Sequence, residues 1–115
     1  MGVDPEFFRT DRVQLLEFFA SPSLQRQWQL DTPTLDSSEL YSWWAEHIPL
    51  DSDLFDAAFK ADELQLIRHF NSTFEKAFAP YGRKCPKVDV LLLQPAWERV
   101  IEAAASVVAK VSGAT

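Results

Sequence analysis

Three aspartates in the stretch DSDLFDAAFKAD stand where a calcium-binding loop carries ligands: Asp51, Asp53 and Asp62 fall at positions one, three and twelve. Such a loop needs an oxygen donor at position five and a glycine at six for its sharp turn, and this chain has Phe55 and Asp56 there. The aspartates are therefore read as helix caps and surface charge, and no metal is expected. His47 and His69 are not spaced as a ligand pair, and neither has an identifiable partner for acid-base work. Cys85 lies beside Arg83, Lys84 and Lys87, cations that lower a thiol pKa and favour a reactive thiolate, but no His or Asn signature accompanies it. The chain has only three glycines, with no phosphate-cradling loop, nucleophile elbow or Cys-x-x-Cys pair. Neither an enzyme nor a cofactor is expected.

The remaining constellation is acidic and aromatic. Between Asp31 and Glu63 nine acids (Asp31, Asp36, Glu39, Glu46, Asp51, Asp53, Asp56, Asp62 and Glu63) face one base, Lys60, a local charge of −8 in a chain of net −6, so the rest carries +2. Tyr41, Trp43, Trp44, Phe55 and Phe59 are interleaved with these acids. Acids of this kind steer a basic partner and set specificity, while a few aromatics supply buried anchors. The competing reading makes the aromatics core and the acids their wet reverse faces, and it suits Trp44 with Leu40 better than Tyr41, which falls off the apolar stripe. The candidate partner-binding set is Glu39, Tyr41, Trp43, Glu46, Asp51, Asp53 and Asp56. The carboxylates are expected to steer and pair, with Tyr41 and Trp43 as anchors.

Helices must position these groups. TDRVQLLEFFA reads as a helix capped by Thr10, with Val13, Leu16 and Phe19 on its apolar stripe. Ser21 and Pro22 then start a second helix that ends near Trp28. Asp36 caps a third, with Glu39 three residues on, and Pro49 stops it; Leu40, Trp43, Trp44 and His47 share its stripe. A short helix over LDSDLFDAAF should turn Leu54, Ala57 and Ala58 inward. ADELQLIRHFNSTFEKAFA is the clearest helix: Leu66, Phe70, Phe74 and Phe78 recur every fourth residue, with Pro80 and Gly82 to end it. Gln94 and Pro95 open a last helix whose face carries Trp97, Val100, Ile101, Ala104, Val108 and Val111. VDVLLL is assigned to a short helix, because a lone strand has nothing to pair with. The expected fold is all-α, a compact single-domain bundle of about five to six helices over residues 9–112. Residues 1–8 are set aside as a cloning-derived or flexible leader, since Val-Asp and Glu-Phe are what common cloning sites encode.

At 115 residues and 47% hydrophobic, the chain can build one real core. No run of eighteen apolar residues and no charged-then-apolar leader occurs, and a single cysteine cannot form an internal disulfide, so a cytoplasmic location is the expectation. The negative balance argues against nucleic-acid or anionic-membrane binding.

The acid block from Asp31 to Glu63, the interleaved Tyr41, Trp43 and Trp44, and the lack of a catalytic signature together resemble the small acidic immunity proteins that bacteria encode beside polymorphic toxins. That resemblance implies a protein that occupies or locks a cognate toxin, often a basic nuclease or another nucleic-acid-targeting effector, with carboxylates standing in for substrate phosphates. The alternative is a helical adaptor or chaperone-like module, for which the wide face around Phe70, Phe74 and Phe78 should be partly exposed.

Overall fold

The computed structural model describes residues 4–45 and 52–113. Its described residues form seven α-helices and one 3₁₀ turn, with no strand: α1 (Pro5–Phe19), α2 (Pro22–Asp31), α3 (Ser38–Ala45), α4 (Asp53–Ala58), α5 (Ala61–Phe78), the turn Ala79–Tyr81, α6 (Val88–Leu91) and α7 (Pro95–Val111). The chain is all-α, with five longer helices and two short ones. No helix among the described residues is long and apolar enough to cross a membrane.

Local chemistry explains most helix starts. Proline stands at the first position of α1, α2 and α7, where its missing N–H costs nothing. Side-chain oxygens of Asp4, Ser21 and Ser52 accept hydrogen bonds from the first backbone N–H groups of α1, α2 and α4. At the other end of α5 the chain leaves through Gly82, whose φ of 58° is in the left-handed region. α1 begins earlier than the sequence pattern placed it. Thr10, expected as its cap, lies inside the helix with its hydroxyl donating to the Glu6 carbonyl, and Asp4 caps instead. Residues 5–8, set aside above, belong to this helix, and Phe8 is buried with its ring edge-on to Phe55 of α4 at 4.8 Å. On α4 the inward residues are Phe55 and Ala58, followed by Phe59; Ala57 is exposed and Leu54 half-buried.

The core is built around α5 and α7, with α1 laid across α7. Phe74 of α5 sits at its centre, fully buried, with the rings of Phe19, Phe70, Phe78 and Trp97 at 5.2, 5.6, 5.0 and 6.1 Å. On α7 the buried line is Trp97, Val100, Ala103, Ala104 and Val107, so Ile101, Val108 and Val111 flank the face they were expected to centre. Two alanines in that line let α7 approach its neighbours closely, which gives the large rings of α5 their room.

One polar side chain lies within this apolar centre. Gln25 of α2 is fully buried. Its Nε2 donates to the carbonyls of Phe18 and Phe19 at 3.1 and 3.0 Å, and its Oε1 accepts the indole N–H of Trp97 at 2.9 Å. The amide thereby satisfies the Phe19 carbonyl, adds a second donor to the Phe18 carbonyl that the Ser21 N–H already meets, and joins α1, α2 and α7. Gln29, one turn on, repeats the device: its Oε1 accepts from Val88 N at 2.9 Å, and its Nε2 donates to the carbonyls of Thr32 and Leu35. Ser37, also fully buried, donates both its backbone N–H and its hydroxyl to the Pro86 carbonyl, clamping the connector before α3 to the loop before α6.

Replacing Gln25 with leucine keeps the volume but strands the Trp97 N–H and the Phe19 carbonyl, while the Phe18 carbonyl keeps the Ser21 N–H, so the free energy of unfolding should fall by about 2–4 kcal/mol. Urea denaturation of Gln25→Leu beside Leu24→Gln, a change at an exposed neighbour that should stay within about 0.5 kcal/mol of wild type, measures this.

Candidate functional site

The two arginines of α1 both turn inward. Arg9 makes a two-pronged contact with Glu63 of α5, Nη1 to Oε1 at 2.8 Å and Nη2 to Oε2 at 2.9 Å, and also donates to the Ala58 carbonyl. Its guanidinium lies 5.2 Å from the centre of the Phe59 ring. Glu63 is 3% exposed and also accepts from the Lys60 backbone N–H at 2.8 Å, closing the first turn of α5. Hydrogen bonding from Arg9 holds the Glu63 carboxyl below the usual glutamate range. Arg12 is buried with its guanidinium over the rings of Phe8 and Trp44, 5.6 Å from each centre, and reaches the Trp43 carbonyl and Asp11 at 3.5 and 3.3 Å.

That arrangement leaves α1 and α4 acidic on the outside. Glu6, Asp11, Glu17, Asp53 and Asp56 are all exposed, whereas the two cations of α1, Arg9 and Arg12, are engaged by Glu63 and Asp11, and α4 has no cation. Apart from Asp11, none of these five carboxylates makes an ion pair with a described residue. Lys60, just beyond α4, is the nearest exposed base in sequence.

Other members of the acid block have internal duties. Asp31 accepts from Gln27, and Asp36 accepts from the backbone and hydroxyl of Ser38, which keeps its carboxyl below the ordinary range. Asp62 pairs with Lys110 of α7 at 3.0 Å. The described part of the would-be calcium stretch runs through α4 into the first turn of α5, with Phe55 in the core.

The seven residues singled out above occupy several places. Asp53 and Asp56 are together on α4, one turn apart and exposed. Glu39 is half-buried in the first turn of α3. Tyr41 is half-buried toward α5, stacked on Phe74 at 5.8 Å and edge-on to Phe78, with its hydroxyl donating to Glu75 at 3.1 Å. Trp43 is half-buried on another side of α3, edge-on to Phe18 and Trp28 at 5.5 and 5.4 Å. Two residues along a helix are about 200° apart, so the two expected anchors do not share a face. Trp44 is core: its ring meets Phe70 at 4.8 Å and its indole N–H donates to Asn71 at 2.8 Å. Glu46 and Asp51 lie outside the described residues, as does His47.

The acids of α1 lie outside the dense block that composition marks. Their spacing on the polar side of the Leu16–Phe19 stripe is legible in sequence, but the engagement of Arg9 by Glu63 and the burial of Arg12 are not. Cys85 also differs from expectation. Partial burial, with Asp36 nearby, raises its pKa, while Arg83 and Lys84 point to solvent and Lys87 Nζ is engaged by the carbonyls of Pro33 and Leu35.

Two measurements check these electrostatics. Because the folded pKa of Glu63 is depressed, its contribution is complete above the unfolded value of about 4.3 and disappears as pH falls through the lower folded value. Unfolding midpoints should therefore drop on acidification below that point, and Glu63→Gln should lose stability at neutral pH while showing a shallower acid decline. Iodoacetamide should alkylate Cys85 more slowly than a free cysteine peptide at the same mildly alkaline pH, read by mass spectrometry.

No family model, curated protein or solved structure matches this chain, so the placement of its own residues is the ground for a functional reading.

Proposed function

We propose that the chain is an immunity-type inhibitor, which binds and neutralises a cognate bacterial toxin with a basic surface, such as a nuclease or another nucleic-acid-targeting effector. The observation that carries this reading is the acidic exterior of α1 and α4, where Glu6, Glu17, Asp53 and Asp56 face solvent with no ion-pair partner among the described residues, and Arg9 and Arg12 are engaged by Glu63 and Asp11. A fixed array of carboxylates presents to a cationic cleft the charge that it would meet in a phosphate backbone. The field draws the partner in and raises the rate of encounter. Rigidity adds to this: Phe8, Phe55 and Phe59 anchor α1 and α4 to the core, so the carboxylates need little ordering on binding.

The adaptor reading depended on an exposed phenylalanine face on α5. Phe70, Phe74 and Phe78 are instead buried within the domain, at 0%, 0% and 5% exposure, so that face is not available to a partner helix.

The decisive experiment is genetic. The product of the neighbouring upstream gene is expressed in a sensitive bacterium with and without this protein, and survivors are counted; killing that this protein fails to relieve would sink the immunity reading. Given a cognate partner, the Asp53→Lys, Asp56→Lys double variant should associate about tenfold or more slowly at low salt, with the deficit shrinking as ionic strength rises; lysines in the first turn of α4 lower the melting temperature, so circular dichroism must show the variant folded at the assay temperature. An association rate indifferent to that charge reversal would remove α4 from the interface.

A further inference from the structure

α2 is built inside out. An ordinary surface helix buries its leucines and turns its amides to water. Here Gln25 is fully buried and Gln29 is half-buried and fully engaged, while Leu24 is 51% and Leu30 74% exposed. The pattern continues in the elements that pack beside α2. Leu35 of the connector, Val90 of α6 and Leu93 just after it are exposed, Leu93 to 80%. Apart from Phe7 in α1, these five are the exposed large hydrophobic residues among the described ones, and all five belong to α2, the connector after it, α6 and the turn that follows α6, elements that Gln29 ties together. A concentration of this kind has a use, unlike single leucines scattered over a surface.

We propose that this α2–α6 corner is a self-association surface that pairs two copies of the chain. The corner carries a groove lined by Arg26, Gln29, Leu30, Pro33, Lys87 and Asp89, with mostly apolar walls and a volume near 450 Å³. Leu30 lines this groove and is itself 74% exposed. A projecting leucine on the wall of an apolar groove is self-complementary, as a two-fold contact requires: each copy offers a knob and a hole. Charge points to the same occupant. The molecule as a whole carries −6, which sets like copies against each other, but the groove carries two cations, Arg26 and Lys87, beside one anion, Asp89. Arg26 and Asp89 have no ion-pair partner among the described residues, so across a two-fold axis the Arg26 of one copy can meet the Asp89 of the other. None of these residues belongs to the acidic exterior of α1 and α4, so pairing here leaves both acidic faces open, and each proposal can fail without the other.

Sedimentation equilibrium on the full chain under reducing conditions, from micromolar to millimolar, tests this. The expected result is a mass rising with concentration from 13.1 kDa toward twice that value. Leu30→Glu and Leu93→Glu should each weaken the association by about tenfold or more, since each would bury an unpaired carboxylate. Phe7→Glu, the same kind of change at an exposed residue outside the corner, should leave it intact, and circular dichroism melts should show all three variants folded. A mass fixed at 13.1 kDa throughout, or a dimer that folded Leu30→Glu and Leu93→Glu leave unchanged, would overturn the proposal.

Discussion

A single buried amide sets the arrangement of three helices. Gln25 has room for only one orientation: its NH2 must face the carbonyls of Phe18 and Phe19, and its oxygen must face the Trp97 indole. In a dry interior each of these groups is costly to leave unpaired, so the end of α1, the second turn of α2 and the first turn of α7 are held in mutual register. Trp97 in turn lies against Phe19, Phe74 and Phe78, so the register fixed by hydrogen bonds is also the register of the aromatic core. The cost is carried by α2. With glutamines inside, its leucines have only the outside left, and the apolar corner shared with α6 follows from the same constraint.

Electrostatics obeys a similar rule of conserved sidedness. Arg9 is needed inside because Glu63 is buried at the start of α5, and a buried carboxylate without a cation would lose its charge or the fold. Arg12 is held by two aromatic faces and a carbonyl. Every cation taken inward is one removed from the exterior of α1, and the helix is acidic outside because it is basic inside. The chain's net charge of −6 is thus converted into a local surface property by packing rather than by composition alone.

The adjacent tryptophans of α3 show how much a 100° step decides. Trp44 enters the core between Phe70 and Arg12, whereas Trp43 leans on Phe18 and Trp28 at the edge of α1 and α2. Together they wedge α3 against α1, α2 and α5, and Tyr41 adds further contacts to α5 through Phe74 and Phe78. This distribution suits a rigid body that binds through what is fixed on its surface.

The sequence by itself determined the helical class, the starts of α2 and α7 at Ser21-Pro22 and Gln94-Pro95, and the long phenylalanine ladder of α5. All of these follow from local capping, proline geometry and a 3.6-residue period. It also marked the acid-rich region and the lack of a calcium-loop turn. Tertiary structure alone decided which charges and amides go inside. The burial of Gln25, the inward turn of Arg9 and Arg12, and the use of Asp62 and Glu63 as internal partners rest on contacts between residues tens of positions apart. A polar side chain looks the same in sequence whether water or a distant helix satisfies it. Only the folded chain supplies the partner that makes its burial affordable.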